Sequence, residues 1–334
     1  MYYTEEDIAS AIEAGIFTEE TASAFRDHVA KDKKRQTPVD GERFRLVTGF
    51  NDIFVAIACL LVLVSVGWIG AAAAPWIGAI AVSAAAWSLA EFFVRQRRMA
   101  LPAIVLSLAF IGSIPLGWAL LAEGIRNASL VATSASASFA AWLHWRRFRV
   151  PITIAAGTGT VLAWVIALLI MRYPEAKNWL IALTFMAGLT VFALALRWDA
   201  TDVARQTWRS DVAFWLHLLA APLLVHPLFT SLGVLSRQTT SIGQVIAVMT
   251  LYMGLALIAL CIDRRALMVS ALAYVLYAFS TLLKQHGVVS LNLAVAAFVI
   301  GSALLLLSAL WHDSRRHVLK LLPLAVRKRF PPLR

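Results

Sequence analysis

Residues 53–70 read IFVAIACLLVLVSVGWIG, eighteen residues whose only ionisable group is the thiol of Cys59. At ~1.5 Å of rise per residue, a helix of that length matches the ~30 Å hydrocarbon core of a bilayer. The stretch is apolar on every side. It has neither the alternation of a membrane β-strand nor the single apolar stripe of a soluble amphipathic helix. Nine further apolar blocks follow, near 75–94, 101–122, 127–145, 150–171, 179–196, 212–235, 242–262, 266–283 and 290–311. The pattern predicts an all-α, polytopic helical membrane protein with about ten transmembrane helices.

Composition agrees. Of the 334 residues, 60% are hydrophobic and 15% charged, with a mean hydropathy of +0.75. A soluble domain carries about 25% charge. The net charge of +11 sits mostly in short clusters beside apolar blocks, the pattern of topology signals and of contact with anionic lipid headgroups at the cytoplasmic face. No nucleic-acid role is expected of it. Cys59 falls well inside the first block and Cys261 at the end of the eighth, depths too different for a disulfide.

The basic residues also orient the chain. With the N-terminus inside, 25 of the 30 Lys and Arg fall on the cytoplasmic side and five outside. The inner clusters are Arg95, Arg97 and Arg98; Arg146, Arg147 and Arg149; Arg197, Arg205 and Arg209; and Arg264 with Arg265. The excess of inner positive charge predicts both termini in the cytoplasm of a bacterial inner (plasma) membrane. Tryptophans mark the same boundaries: Trp68, Trp76, Trp118 and Trp179 at the outer interface, and Trp142, Trp145, Trp198, Trp215 and Trp311 at the inner one. Trp87 and Trp164 lie deeper.

Three regions follow. Residues 1–49 are polar, so no signal peptide is expected and the first membrane helix must target the chain itself. Within them Thr4 and Thr18 are helix starts and Gly15 a stop. Ile8, Ile12, Ile16, Phe17 and Phe25 are placed to pack a small helical hairpin, and Lys31–Pro38 reads as a basic linker. Residues 1–35 are a candidate surface for a protein partner. Residues 50–311 form the transmembrane bundle. Residues 312–334 form a basic amphipathic tail, interrupted by Pro323 and suited to a surface of anionic lipid.

Ionisable and helix-breaking residues inside apolar segments are the functional candidates. The seventh segment holds Pro222, His226 and Pro227. Each proline removes a backbone donor and frees a carbonyl, and His226 can titrate near neutral pH. The third segment carries Pro115 between Gly112 and Gly117, the kind of interrupted helix that lines transporter sites. Glu91 ends the second segment one turn before Arg95, as an i,i+4 pair. The candidate cavity or transport set is therefore His226, Glu91, Pro222, Pro227 and Pro115. His217 and His226, nine residues apart, face opposite sides of an ideal helix and make no two-histidine metal site. The serines of the fourth segment, with Thr133 and Ala137, read as close-packing and interhelical hydrogen-bonding residues.

The chain has no HExxH, CxxC pair, P-loop or G-x-S-x-G, and no paired carboxylates in its apolar blocks. No enzyme activity, cofactor or metal is expected. The stretch Ile12-Glu13-Ala14-Gly15-Ile16-Phe17-Thr18-Glu19-Glu20, leading through a basic linker into membrane helices, resembles the opening of bacterial multi-pass membrane families of unknown function. The helix count and lengths also resemble those of the drug/metabolite transporter superfamily, which implies two five-helix halves in inverted orientation. The expected function is a secondary transporter or permease of a small solute. The alternative is a non-transporting membrane scaffold, sensor or assembly factor.

Overall fold

The computed structural model describes residues 5–35, 50–121, 126–202, 205, 207–233, 242–285 and 292–321. The chain divides into two compact units, residues 1–44 and 45–334.

In the first unit, α1 (Glu5–Glu13) and α2 (Glu19–Arg35) form the expected hairpin. Gly15 takes φ +68°, the left-handed backbone that closes a helix at no steric cost to glycine. Thr18 caps α2, its hydroxyl accepting from the Thr21 amide at 3.2 Å. Ile8 and Ala22 are buried, and the rings of Phe17 and Phe25 stack at 6.2 Å. Ile16 is exposed, so the packing set is smaller than expected. Residues 31–35, expected in a linker, continue α2. Thr4 and residues 36–38 lie outside the described residues.

The second unit contains ten long helices among the described residues, each on one of the ten apolar blocks. They are α3 (Phe50–Ala73), α4 (Pro75–Ala90), α5 (Ala100–Leu121), α6 (Arg126–Phe148), α7 (Ile152–Arg172), α8 (Leu180–Thr201), α9 (Trp208–Ser231), α10 (Ile242–Ile262), α11 (Ala266–Gln285) and α12 (Asn292–Ala309). A π-helical turn (Glu91–Gln96) extends α4, a 3₁₀ turn (Pro174–Trp179) leads into α8, and a shorter α13 (Trp311–Leu321) follows α12. Seven of the ten, α3 to α5 and α7 to α10, are long and apolar enough to cross a membrane. In α6, serines and terminal arginines dilute the apolar residues. No strand occurs among the described residues.

The outer surface carries the apolar side chains. On α3 alone Leu60, Leu61, Val64, Trp68 and Ile69 are exposed, while Ala56, Cys59 and Leu63 face inward. Water-soluble proteins rarely expose contiguous apolar patches beyond a few hundred Å². This distribution is compatible with an integral membrane protein.

Small residues set the helix spacing. Ser83 on α4 and Ser113 on α5 share a hydrogen bond at 2.7 Å across the helix pair. The serines of α6 behave differently from expectation. Ser134, Ser136 and Ser138 return their hydroxyls to carbonyls three or four residues back in their own helix, which satisfies them without a neighbour. Close packing there comes from Ala137, Ala140 and Ala141, all buried. Both cysteines are free thiols.

The prolines expected to break helices do not. Pro115 lies inside a continuous α5, and Pro222 and Pro227 inside a continuous α9. Pro227 has no N–H to give the Leu223 carbonyl, and that carbonyl lies against Gly188 of α8. A methyl group at 188 would sit 2.9 Å from the Leu223 carbonyl carbon and 3.0 Å from its oxygen. The glycine thus lets α8 pack directly against this turn of α9. Gly188→Val is expected to lower stability by about 1–3 kcal/mol, read as a lower thermal-unfolding midpoint of the detergent-solubilised protein. Gly112→Ala, where a methyl group meets nothing within 4 Å, should leave the midpoint nearly unchanged.

Candidate functional site

The largest concentration of buried charge lies where the C-terminal end of α8, the first turns of α9 and the α10–α11 turn meet. Asp199 enters the helix because α8 continues to Thr201, past the expected boundary at 196. Its carboxylate accepts from His217 Nε2 at 2.8 Å and from Arg264 Nη2 at 2.6 Å. The side chains are 11% (Asp199), 1% (His217) and 3% (Arg264) exposed. Arg264 also reaches the carbonyl and hydroxyl oxygens of Ser210, both at 3.4 Å. Three separate stretches of chain are thereby fixed on one carboxylate.

A carboxylate only accepts, so Nε2 of His217 carries the proton in this pair. Nδ1 is then the ring's lone-pair side. It is buried and has no hydrogen-bond partner among the described residues. One face of the ring meets Phe192 edge-on at 5.5 Å between centroids. A neutral imidazole held in this way keeps one hydrogen-bond acceptor, Nδ1, inside the bundle.

A second carboxylate, Asp263, closes the same end. Its side chain accepts from Arg205 Nη1 at 3.1 Å and from the Trp311 indole N–H at 2.9 Å, with Arg315 at 3.8 Å. Arg205 also donates to the Asp263 and Ile262 carbonyls, and Arg315 to the Leu260 carbonyl. Trp311, Arg315 and Leu319 are buried, an i,i+4,i+8 stripe that holds α13 on the bundle. Burial alone would raise the Asp263 carboxyl. The Trp311 bond and the charges of Arg315 and Arg205 outweigh it and hold the group below the usual carboxylate range. The tail beyond Leu321 lies outside the described residues.

Of the residues the sequence singled out, His226 is exposed on the outer side of α9, with Nδ1 2.6 Å from the Tyr274 hydroxyl of α11. Pro222 is exposed and Pro227 buried; Pro115 is half-buried in α5. Glu91 makes the expected bond to Arg95 at 3.4 Å, but its closer partner is Arg147 of α6, at 2.6 and 2.9 Å. No side-chain hydrogen bond, ion pair or ring contact joins any two of the five. Trp87 is a packing residue: with Phe110 and Phe148 it surrounds His144, which is fully buried and has neither nitrogen bonded among the described residues. No group of three His, Cys, Asp or Glu among the described residues is placed to hold a metal.

A cleft of about 420 Å³ opens beside the charged cluster, lined by Leu194, Arg197, Trp198, Thr201, Trp208 and Arg209. None of the five candidates lines it. No family model, curated protein or solved structure matches the chain. The resemblance of residues 12–20 therefore stands on those residues alone.

Two outcomes are expected. Asp199→Leu strands Arg264 in a buried site and should cost about 3–5 kcal/mol, whereas Asp199→Leu with Arg264→Leu should cost much less; thermal unfolding of the three variants in detergent measures both. Asp263 is lowered on folding, so its contribution is complete above the usual carboxylate range and is lost as pH falls through and below the folded value. The thermal-unfolding midpoint in detergent should fall over that acid range, and Asp263→Asn should show the lower midpoint already at neutral pH.

Proposed function

We propose that the chain is a multi-pass integral membrane protein of a bacterial inner membrane that crosses it ten times with both ends in the cytoplasm. We further propose that it works as a secondary transporter or permease of a small solute. The observation that carries the transport reading is the Asp199–His217–Arg264 cluster. Ionised groups inside apolar helices are costly, and a buried imidazole with one open nitrogen beside a fixed carboxylate is the arrangement a proton-linked transporter needs. His217 replaces His226 as the residue assigned to the proton, because His226 lies on the outer surface.

The ten-crossing topology is supported by the 25-to-5 partition of basic residues and by the ten helices on the ten apolar blocks. A green fluorescent protein fused after residue 334 should fluoresce in cells, and one inserted near residue 175 should not. The reverse pattern would overturn the orientation.

A non-transporting scaffold or sensor is the second reading. It is favoured by the closed pairing of Asp199 and Asp263, which fastens α8, α9, α13 and the α10–α11 turn as a rigid unit. Vesicles loaded with a pH-sensitive dye and challenged with a panel of small sugars, amino acids and carboxylates separate the two. Transport requires that one solute move protons through the wild-type protein and that His217→Gln abolish the movement while the protein still folds. If no solute does so, or if His217→Gln transports normally, the scaffold reading takes its place.

A further inference from the structure

The cleft beside the charged cluster has a composition the transport site does not explain. Leu194, Arg197, Trp198 and Thr201 stand at i, i+3, i+4 and i+7, one face of α8, and Trp208 and Arg209 face them from the first turn of α9. The two arginines are exposed, and neither is paired with a carboxylate among the described residues. This contrasts with Arg205 and Arg264 a few residues away, which are buried and held. Of the nearby acids, Asp199 is engaged by Arg264 and His217 and Asp202 by the Thr207 amide and hydroxyl, while Asp211 in the first turn of α9 does not line the cleft and makes no ion pair with Arg197 or Arg209 among the described residues. The Thr201 hydroxyl donates to the Trp198 carbonyl, leaving the cations as the cleft's strong donors.

The aromatic rings form a connected row. Trp198 and Trp208 meet at 5.6 Å, Trp208 and Trp145 at 5.9 Å, and the Arg149 guanidinium lies 5.3 Å from the Trp145 ring centroid. Two of these indoles line the cleft, and Trp145 with Arg149 continues the row beyond it. Indoles of this kind sit where hydrocarbon gives way to headgroups, and they stack against glycerol and acyl ester groups while arginines bind phosphate in two-pronged fashion. The volume, about 420 Å³, is in the range of small-molecule sites.

We propose that this cleft binds the headgroup of an anionic phospholipid, with its phosphate between Arg197 and Arg209 and its glycerol region against Trp198, Trp208 and Leu194. The occupant is anionic because the cleft offers uncompensated positive charge. It is a lipid because Leu194 and two indoles line the cleft beside the charge, at the end of a helix long and apolar enough to cross a membrane. The proposal rests on the reading of the chain as a membrane protein. It does not depend on transport.

The test uses the full chain purified in detergent, with native mass spectrometry to read bound lipid. It is titrated with phosphatidylglycerol, with phosphatidylcholine of the same acyl chains, and with inorganic phosphate. Retention of phosphatidylglycerol should exceed that of phosphatidylcholine by about tenfold, and Arg197→Gln with Arg209→Gln should reduce it to the phosphatidylcholine level. Arg197→Lys with Arg209→Lys should keep most of the preference. Both pairs replace exposed side chains, and an unchanged melting midpoint would establish that the fold is intact. Equal retention of the two lipids, or an unchanged preference in the glutamine variant, overturns the proposal. Displacement of phosphatidylglycerol by inorganic phosphate overturns the lipid assignment in favour of a soluble anion. A chain that fails to enter vesicles of either lipid would overturn the membrane reading instead, a result distinct from loss of selectivity.

Discussion

The Asp199 carboxylate is the point on which the second half of the bundle depends. Helices as apolar as α8, α9 and α10 have little to choose between rotations about their own axes when their surroundings are also apolar. A single ionised group removes that freedom, because exposing it to hydrocarbon is far more costly than pairing it. Arg264 reaches it from a turn 65 positions along the chain and His217 from the facing helix. Rotating any of the three elements would leave charge unpaired in a dry environment. The pair sets orientation more than it adds stability, since well-packed apolar residues of similar volume would often serve stability equally well.

Around that fixed point the backbone supplies what side chains do not. Pro227 cannot donate to the Leu223 carbonyl, and Gly188 lets α8 pack against that same turn. A Cβ at 188 would hold α8 off the Leu223 backbone. A glycine weakens a helix by up to ~1 kcal/mol. Here it allows a close α8–α9 approach. About three turns nearer the C-terminal end of α8, that approach leaves Asp199 within hydrogen-bond reach of His217.

The positions of the ten helices were legible because apolar length is a property of the sequence alone. The first block, 53–70, became α3 with three added residues at each end. The paired residues were not legible for the same reason. The block pattern ended the sixth segment at 196, which left Asp199 in a loop where a carboxylate needs no explanation. Five more helical residues turn it into a buried charge. His226 drew attention by its depth along α9, yet depth says nothing of azimuth, and its azimuth is outward. His217 sits nearer the helix start and looks interfacial in sequence, but its azimuth points at α8. Only knowledge of which helices adjoin could separate the two. Segment ends did not point to the pair either, since Asp199 lies three residues beyond the end of the sixth block and His217 five residues inside the seventh.

The connections after alternate apolar segments carry a further constraint. Arg98, Arg149, Arg205 and Asp263 each adopt positive φ, between 53° and 57°, at the ends of successive even-numbered apolar segments. Glycine would do this without strain, whereas a residue with a Cβ gives up about 1–2 kcal/mol. The side chains account for the choice at three of the four. Arg149 lies over Trp145, while Arg205 and Asp263 bond each other across the α8–α9 and α10–α11 connections. Arginine at such a turn also counts toward the excess of positive charge that orients a membrane chain. A glycine cap would make each turn easier to form and would remove both the side-chain bond and the charge. Three of the four thus both end a helix and hold a turn through their side chains. Because three of the four are arginines, basic charge and helix ends coincide along the sequence.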